Sequence, residues 1–263
     1  MSKVIVIKIG GSTLGSHDTT IEDIVSLQKQ GKSVVVVHGG GKIITDWLKK
    51  IGVETEFVRG QRVTDKMSLE VATAVLAGLV NKEIVVAINS MGGRAVGISG
   101  VDGALLQAKI ENVELGYVGQ VDKVNLLLLK TLLKADYIPV ISSIGIDIDG
   151  GKTKESQLLN INADTAAGEI AATINAEKLI FLTDVAGICN AQGELIPQLS
   201  LSEAEDLIVT GVVSGGMIPK IKACLRALFN TETTSIIDGR EPHSLARNIA
   251  GESGGTRIKG GLE

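Results

Sequence analysis

Short, unbroken apolar runs alternate with amphipathic stretches along most of the chain. Val4-Ile5-Val6-Ile7 opens the series, and Val34-Val35-Val36-Val37 repeats it. Runs without polar alternation predict parallel strands covered on both faces. The pattern predicts strands over Val4–Ile9, Ser33–Val37, Ala95–Ile98, Ile138–Ser142, Lys178–Leu182, Ser235–Ile237 and Thr256–Ile258. It predicts helices over Thr19–Gln30, Lys42–Lys50, Asn125–Ala135, Ser202–Val209, Gly216–Phe229 and His243–Ala250. Gly31 and Gly52 close the first two helices. Asp65 caps a long helix through Leu79, with Leu69, Ala72, Val75, Leu76 and Leu79 at helical spacing. Asn162 caps another, from Ala163 to about Asn175. Leu105–Ile110 and Tyr117–Val121 read as an antiparallel pair, and Glu54–Val63 as extended chain turning at Gly60. Strands and helices in alternation predict α/β architecture around a mostly parallel sheet.

Composition narrows this picture. Apolar residues make up 44% of the 263, but aromatics only 2%, so the core is aliphatic. The length suits one large domain or two lobes, with a soft boundary near Asn175. The net charge is −4 and no block of Lys or Arg stands out, which argues against a nucleic-acid face. Cys189 and Cys224 lie far apart without metal-ligand spacing and read as free thiols. The N-terminus lacks a signal-peptide pattern, and no apolar stretch is expected to reach membrane-spanning length. A cytoplasmic location is expected.

Three glycine-rich loops carry the candidate chemistry. Lys8-Ile9-Gly10-Gly11 ends the first strand with one lysine and exposed backbone N–H groups, a way to hold a multiply charged anion. His38-Gly39-Gly40-Gly41 ends the second. Each glycine costs roughly 0.5–1 kcal/mol of chain entropy, so three in a row point to close approach by a ligand. His38 itself reads as a structural residue at the strand end. Ser214-Gly215-Gly216-Met217-Ile218-Pro219-Lys220 opens a helix whose N-terminus favours phosphate, with Lys220 adding a full charge.

Other segments gain weight beside these. Arg62 precedes a helix cap and could grip a carboxylate with two parallel bonds. Asn160, Asn162 and Asp164 alternate with apolar residues where capping explains only one of them. Asp164 could pair with the two lysines or help place a metal-bound nucleotide. Thr183, Asp184, Val185, Ala186, Gly187 and Ile188 follow a strand and could wrap an adenine or ribose. Gly145 to Thr153 imitates a phosphate-binding P-loop, but its spacing is one residue too long and no apolar helix follows.

In order, these segments resemble the amino-acid kinase family, and within it the branch acting on acylated glutamate. The likeness is carried by Lys-Ile-Gly-Gly at 8–11, His-Gly-Gly-Gly at 38–41, Arg-Val-Thr-Asp at 62–65 and Gly-Ile-Ser-Gly-Val-Asp-Gly at 97–103. It continues through Asn-Ile-Asn-Ala-Asp-Thr at 160–165, Leu-Thr-Asp-Val-Ala-Gly at 182–187, Ser-Gly-Gly-Met-Ile-Pro-Lys at 214–220 and Ile-Ile-Asp-Gly-Arg at 236–240. The resemblance implies a three-layer αβα sandwich with a mostly parallel central sheet, the carbamate kinase-like fold. It implies an N-terminal lobe, 1–175, for the amino-acid substrate and dimerisation, and a C-terminal lobe, 176–263, for ATP. The implied reaction is phosphorylation of the γ-carboxylate of N-acetyl-L-glutamate by ATP with Mg²⁺, in arginine biosynthesis. The metal would ride mainly on the nucleotide phosphates, with no protein ligand set. By the same resemblance Lys8 and Lys220 stabilise the transferring phosphoryl group, and Asp164 organises them. Gly40, Gly41, Arg62 and Asn160 hold the substrate, Arg62 on its α-carboxylate. Gly10, Gly11, the segment Thr183–Ile188, and Val212, Val213 and Ser214 contact the nucleotide.

Arginine-inhibited members carry a helix before the first strand that links dimers into hexamers. The first strand is expected at about residue 3, so the resemblance implies a homodimer insensitive to arginine. The stretch 237–256 partly resembles the arginine-site region and pulls the other way. Two alternatives stay open from the residues themselves: a kinase of the same fold for acylated aminoadipate, carbamate or a nucleoside monophosphate, and a non-catalytic sensor of amino acid or nucleotide.

Overall fold

Strand β1 (Val4–Ile9) is buried along its whole length, as an apolar run interrupted only by Lys8 allows when helices cover both faces. The computed structural model describes residues 3–10, 19–58, 61–148, 157–252 and 254–260. After β1 come α1 (Thr20–Lys29), β2 (Ser33–His38), α2 (Gly41–Lys50) and a small hairpin, β3 (Phe57–Val58) and β4 (Gln61–Arg62). A long helix follows as α3 (Lys66–Thr73), a π-helical stretch over Ala74–Val80, and α4 (Asn81–Ser90). Then come β5 (Ala95–Ser99), β6 (Leu106–Ile110), β7 (Val118–Val124), α5 (Leu127–Lys134), β8 (Ile138–Ser142) and β9 (Ile144–Asp147). The remainder is β10 (Leu158–Ile161), α6 (Ala163–Ile174), β11 (Lys178–Thr183), β12 (Gln198–Ser200), α7 (Leu201–Val209), α8 (Met217–Leu228), β13 (Thr233–Asp238), α9 (Ser244–Ala250) and β14 (Thr256–Lys259).

Among the described residues, one sheet runs in the order β12-β14-β13-β11-β1-β2-β8-β5. Its pairings from β13 to β5 are parallel, and β14 lies antiparallel to β13. Successive side chains of β1 part to opposite faces. Ile5, Ile7 and Ile9 pack with Ile24 of α1, Leu48 of α2, Ile84 of α4 and Leu245 of α9. Val4 and Val6 pack with Ala166 and Ile170 of α6, Ile221 of α8 and Leu129 of α5. Two aliphatic cores on one sheet make the expected three-layer αβα sandwich.

The structure departs from the sequence expectation in three places. The long helix runs to Ser90 instead of stopping at Leu79. The expectation that no apolar stretch reaches spanning length is corrected: Lys66–Ser90 is, by length and composition alone, able to cross a membrane. Its inner face, with Leu69, Leu76, Val80, Ile84 and Ile88, is buried against the sheet, while Leu79 and Val86 face outward. Strands β9 and β10 join the expected antiparallel pair β6 and β7 in a closed four-stranded ring beside the sheet. The P-loop imitation begins in β9, and its residues 149–153 lie outside the described residues, as do Gly11 and Gly60.

Candidate active site

Lys8 stands one residue before the end of β1, in register with Val37 of β2 and Phe181 of β11. It therefore lies at the carboxyl ends of central parallel strands, where α/β sheets open a crevice for ligands. Asp164 is the second residue of α6. The Asn162 side chain caps that helix, accepting from the N–H groups of Asp164 at 2.9 Å and Thr165 at 3.2 Å. Lys220 is the fourth residue of α8, which packs against α6. The two lysines meet on one carboxylate. Lys8 Nζ is 2.7 Å from Asp164 Oδ1, and Lys220 Nζ is 3.0 Å from Oδ2. The Asp164 side chain is only 8% exposed, those of Lys8 and Lys220 9% and 19%.

Burial pushes the Asp164 carboxyl up, but the charges and hydrogen bonds of Lys8 and Lys220 outweigh it and hold it below the usual carboxylate range. The trio thus carries a net charge of about +1 in a place shielded from water, where a further anion is favoured.

A cavity of about 220 Å³ adjoins the trio, lined by Lys8, Asp164, Gly39, Gly40, Gly41, Arg62, Asn160, Asn162 and Ser143 among others. Arg62 is held on one side of it. Its Nη2 donates to the Gly41 carbonyl at 2.8 Å and to Thr45 Oγ1 at 2.7 Å, and the Phe57 ring lies 4.7 Å from the guanidinium carbon. Burial lowers the guanidinium pKa, though arginine stays charged at any ordinary pH. Its Nη1 is buried and meets no partner among the described residues. An unmade bond at a buried donor costs about 1–3 kcal/mol, a deficit that an incoming carboxylate removes. Asn160 Nδ2 donates to Thr64 Oγ1 at 3.2 Å, and that hydroxyl donates to the Arg62 carbonyl at 3.0 Å.

The structure thus brings Lys8, Lys220, Asp164, Gly40, Gly41, Arg62 and Asn160 together. The Gly10 amide donates to Leu182 O at 3.2 Å, continuing the strand. Thr183 is buried, its hydroxyl donating to Val185 O at 2.9 Å. Asp184, Val185 and Ala186 are exposed, Gly187 is buried, and Ile188 is wholly enclosed in the core. Val213 is buried between the exposed Val212 and Ser214. These two segments do not line the 220 Å³ cavity, though one follows β11 beside β1 and the other leads into α8. Ala186 lines a second cavity, of about 240 Å³, with Asp238, Glu241 and Arg247. Sequence reasoning missed Thr45, Phe57, Thr64 and Ser143. Thr64 sits inside the Arg-Val-Thr-Asp motif, so a polar residue in an extended run was the available signal.

Residues 3–238 match the profile of the amino acid kinase family. A protein named acetylglutamate kinase from Dehalococcoides mccartyi is 46% identical over 257 residues, 98% of this chain and 94% of its own. Another of that name, from Nostoc sp., is 48% identical over 267 residues, 98% of this chain and 88% of its own. The crystal structure of smu.665 from Streptococcus mutans UA159 is similar with a TM-score of 0.83 and 28% identity, covering 98% of this chain and 99% of that one.

Proposed function

Since this chain belongs to the amino acid kinase family, we propose that it transfers the terminal phosphoryl group of ATP to the γ-carboxylate of N-acetyl-L-glutamate. The product is N-acetyl-L-glutamyl 5-phosphate, an acyl phosphate of arginine biosynthesis. The observation that carries the reading is the sharing of one buried carboxylate by Lys8 and Lys220 beside a cavity that Arg62 enters with an unmet donor.

The chemistry suits these groups. A carboxylate is already ionised and nucleophilic at neutral pH, so no general base is needed. The obstacle is repulsion between two anions and charge spreading over the phosphoryl oxygens. Lys8 and Lys220 stabilise that charge, and Asp164 keeps their ammonium groups converging without neutralising both. Arg62 binds the α-carboxylate, and Gly40, Gly41 and Asn160 bind the rest of the acceptor. Gly10, Gly11, Thr183–Gly187 and Val212–Ser214 serve the nucleotide, whereas Ile188, enclosed in the core with its N–H on Thr256 Oγ1, cannot touch it. Among the described residues no cluster of three His, Cys, Asp or Glu side chains could hold a metal ion. In this reading Mg²⁺ would ride mainly on the ATP phosphates and supply charge neutralisation there.

In this reading residues 1–175 form the acceptor lobe and 176–263 the nucleotide lobe, on one continuous sheet. The working unit is a cytoplasmic homodimer joined through the outer face of the long helix, where Leu79 and Val86 are 40% and 65% exposed. A coupled ADP-release assay tests the reaction. Turnover is expected with ATP and N-acetylglutamate, and far less with glutamate, acylated aminoadipate, carbamate or UMP. Turnover with one of those others alone, or with none, defeats the proposal.

A further inference from the structure

His38 closes β2, is fully buried, and takes no part in the lysine–aspartate clamp. Both its ring nitrogens are engaged. Nδ1 lies 3.1 Å from the Gly39 carbonyl oxygen, and Nε2 lies 3.1 Å from the Asn81 amide nitrogen. The orientation of Asn81 is fixed independently of the ring. Its Nδ2 faces the Val140 and Ile98 carbonyls at 2.9 and 3.3 Å, which only accept, and its Oδ1 faces Lys82 Nζ at 3.0 Å, which only donates. The amide nitrogen carries only donors, its two hydrogens serving Val140 O and, shared, Nε2 and the more distant Ile98 O, so Nε2 accepts and the ring proton sits on Nδ1, from which it donates to Gly39. A protonated ring would set Nε2–H against the amide N–H. Burial first, with the charges of Lys8 and Lys82, pushes the imidazole down to about 4 against the opposing Gly39 hydrogen bond. Gly97 leaves room for this network, since a Cβ there would overlap the Asn81 amide.

We infer that His38, locked in its Nδ1–H form by Asn81, is a positioning residue that aims the Gly40 N–H at the reacting anion. The Gly39 carbonyl and the Gly40 N–H belong to one trans peptide and point opposite ways. Pinning the carbonyl to the imidazole therefore fixes the donor. The Gly40 amide meets no protein acceptor among the described residues, and Gly39, Gly40 and Gly41 line the cavity. This inference rests on the kinase reading, because the anionic oxygen is that of the acceptor or of the phosphoryl group in flight.

Histidine ¹⁵N NMR on the whole protein tests it first. The chain has three histidines. One is expected to stay neutral, protonated on Nδ1, between about pH 5.5 and about pH 8, where an ordinary imidazole titrates. A ring that charges in that interval at this site, or one protonated on Nε2, overturns the inference. Steady-state kinetics supply the second arm. His38→Asn keeps a donor near the Nδ1 position and should hold kcat within about fivefold, whereas His38→Leu should lower it about 10- to 100-fold with KM for ATP within about threefold. A packing role alone predicts the reverse ranking, because leucine suits an enclosed site better than asparagine. Equal or reversed ranking overturns the inference, and if neither variant folds, the tautomer decides. Wild-type protein without acetylglutamate turnover defeats the functional reading instead, which separates the two failures.

Discussion

At Asp164 two ammonium groups share one carboxylate, and each cation has a separate predictable consequence. Lys8→Ala and Lys220→Ala should each lower kcat by roughly 10²–10³, the range for one lost transition-state donor, in purified folded protein. Unchanged turnover in either variant removes that lysine from the mechanism. The carboxyl pKa lies below its unfolded value, so the ionised pair contributes stability that is present above about pH 4 and lost as pH falls through the folded pKa. Asp164→Asn should therefore flatten the acid limb of the Tm–pH curve, and an unaltered limb would contradict the pairing. Thr45 offers a gentler test. Thr45→Val removes one of the two acceptors that hold Arg62 Nη2, and should raise KM for acetylglutamate about three- to tenfold with little change in kcat. The lysines and Asp164 were legible in the sequence because each sits beside a local signal, a strand end or a helix start. Thr45 and Thr64 were not, because they act through partners elsewhere in the chain; His38 was read as structural, but its tautomer depends on Asn81, 43 positions away. Asn160 and Thr64, for example, are 96 positions apart.

Among the elements, α9 is tied to α1 through one titratable contact. His243 Nδ1 lies 2.7 Å from Asp23 Oδ1, and the Ala246 N–H donates to Asp23 Oδ2 at 3.0 Å. The hydrogen bond and charge of Asp23 raise the exposed imidazole above its usual range. Its contribution is then fully present below the ordinary histidine value of about 6.5 and lost as pH rises through the higher folded one. Wild-type Tm should fall more than that of His243→Gln between about pH 6 and about pH 9, and parallel curves would refute the contact. The strand-and-helix alternation was readable here because aliphatic runs and caps are local properties. Asp65 does cap α3, its Oδ1 accepting from Ser68 N at 2.7 Å. The end of the long helix was misplaced, although Val80, Ile84 and Ile88 continue from Leu76 in steps of four through the π-helical stretch over Ala74–Val80 and Gly92 follows the last turn. Strand β12 has three residues with one buried, too little pattern to register.

For the molecule as a whole, parallel order across β13, β11, β1, β2, β8 and β5 was foreseeable from covered strands joined by helices. The four-stranded ring was not, since β9 pairs with β6 and with β10 through contacts that no local signal encodes. The proposed homodimer can be tested at the outward apolar face of the long helix. Val86→Glu should shift the protein from dimer to monomer in sedimentation, and a wild-type monomer at working concentration would exclude this interface. Finally, the central strand β1 is made well before one of its neighbours, Lys178–Thr183, and before the second lysine, Lys220 in α8. A nascent polypeptide therefore cannot bring the two lysines onto Asp164 before α8 has been made. Unfinished copies and fragments cut short of α8 are expected to leave cellular ATP untouched.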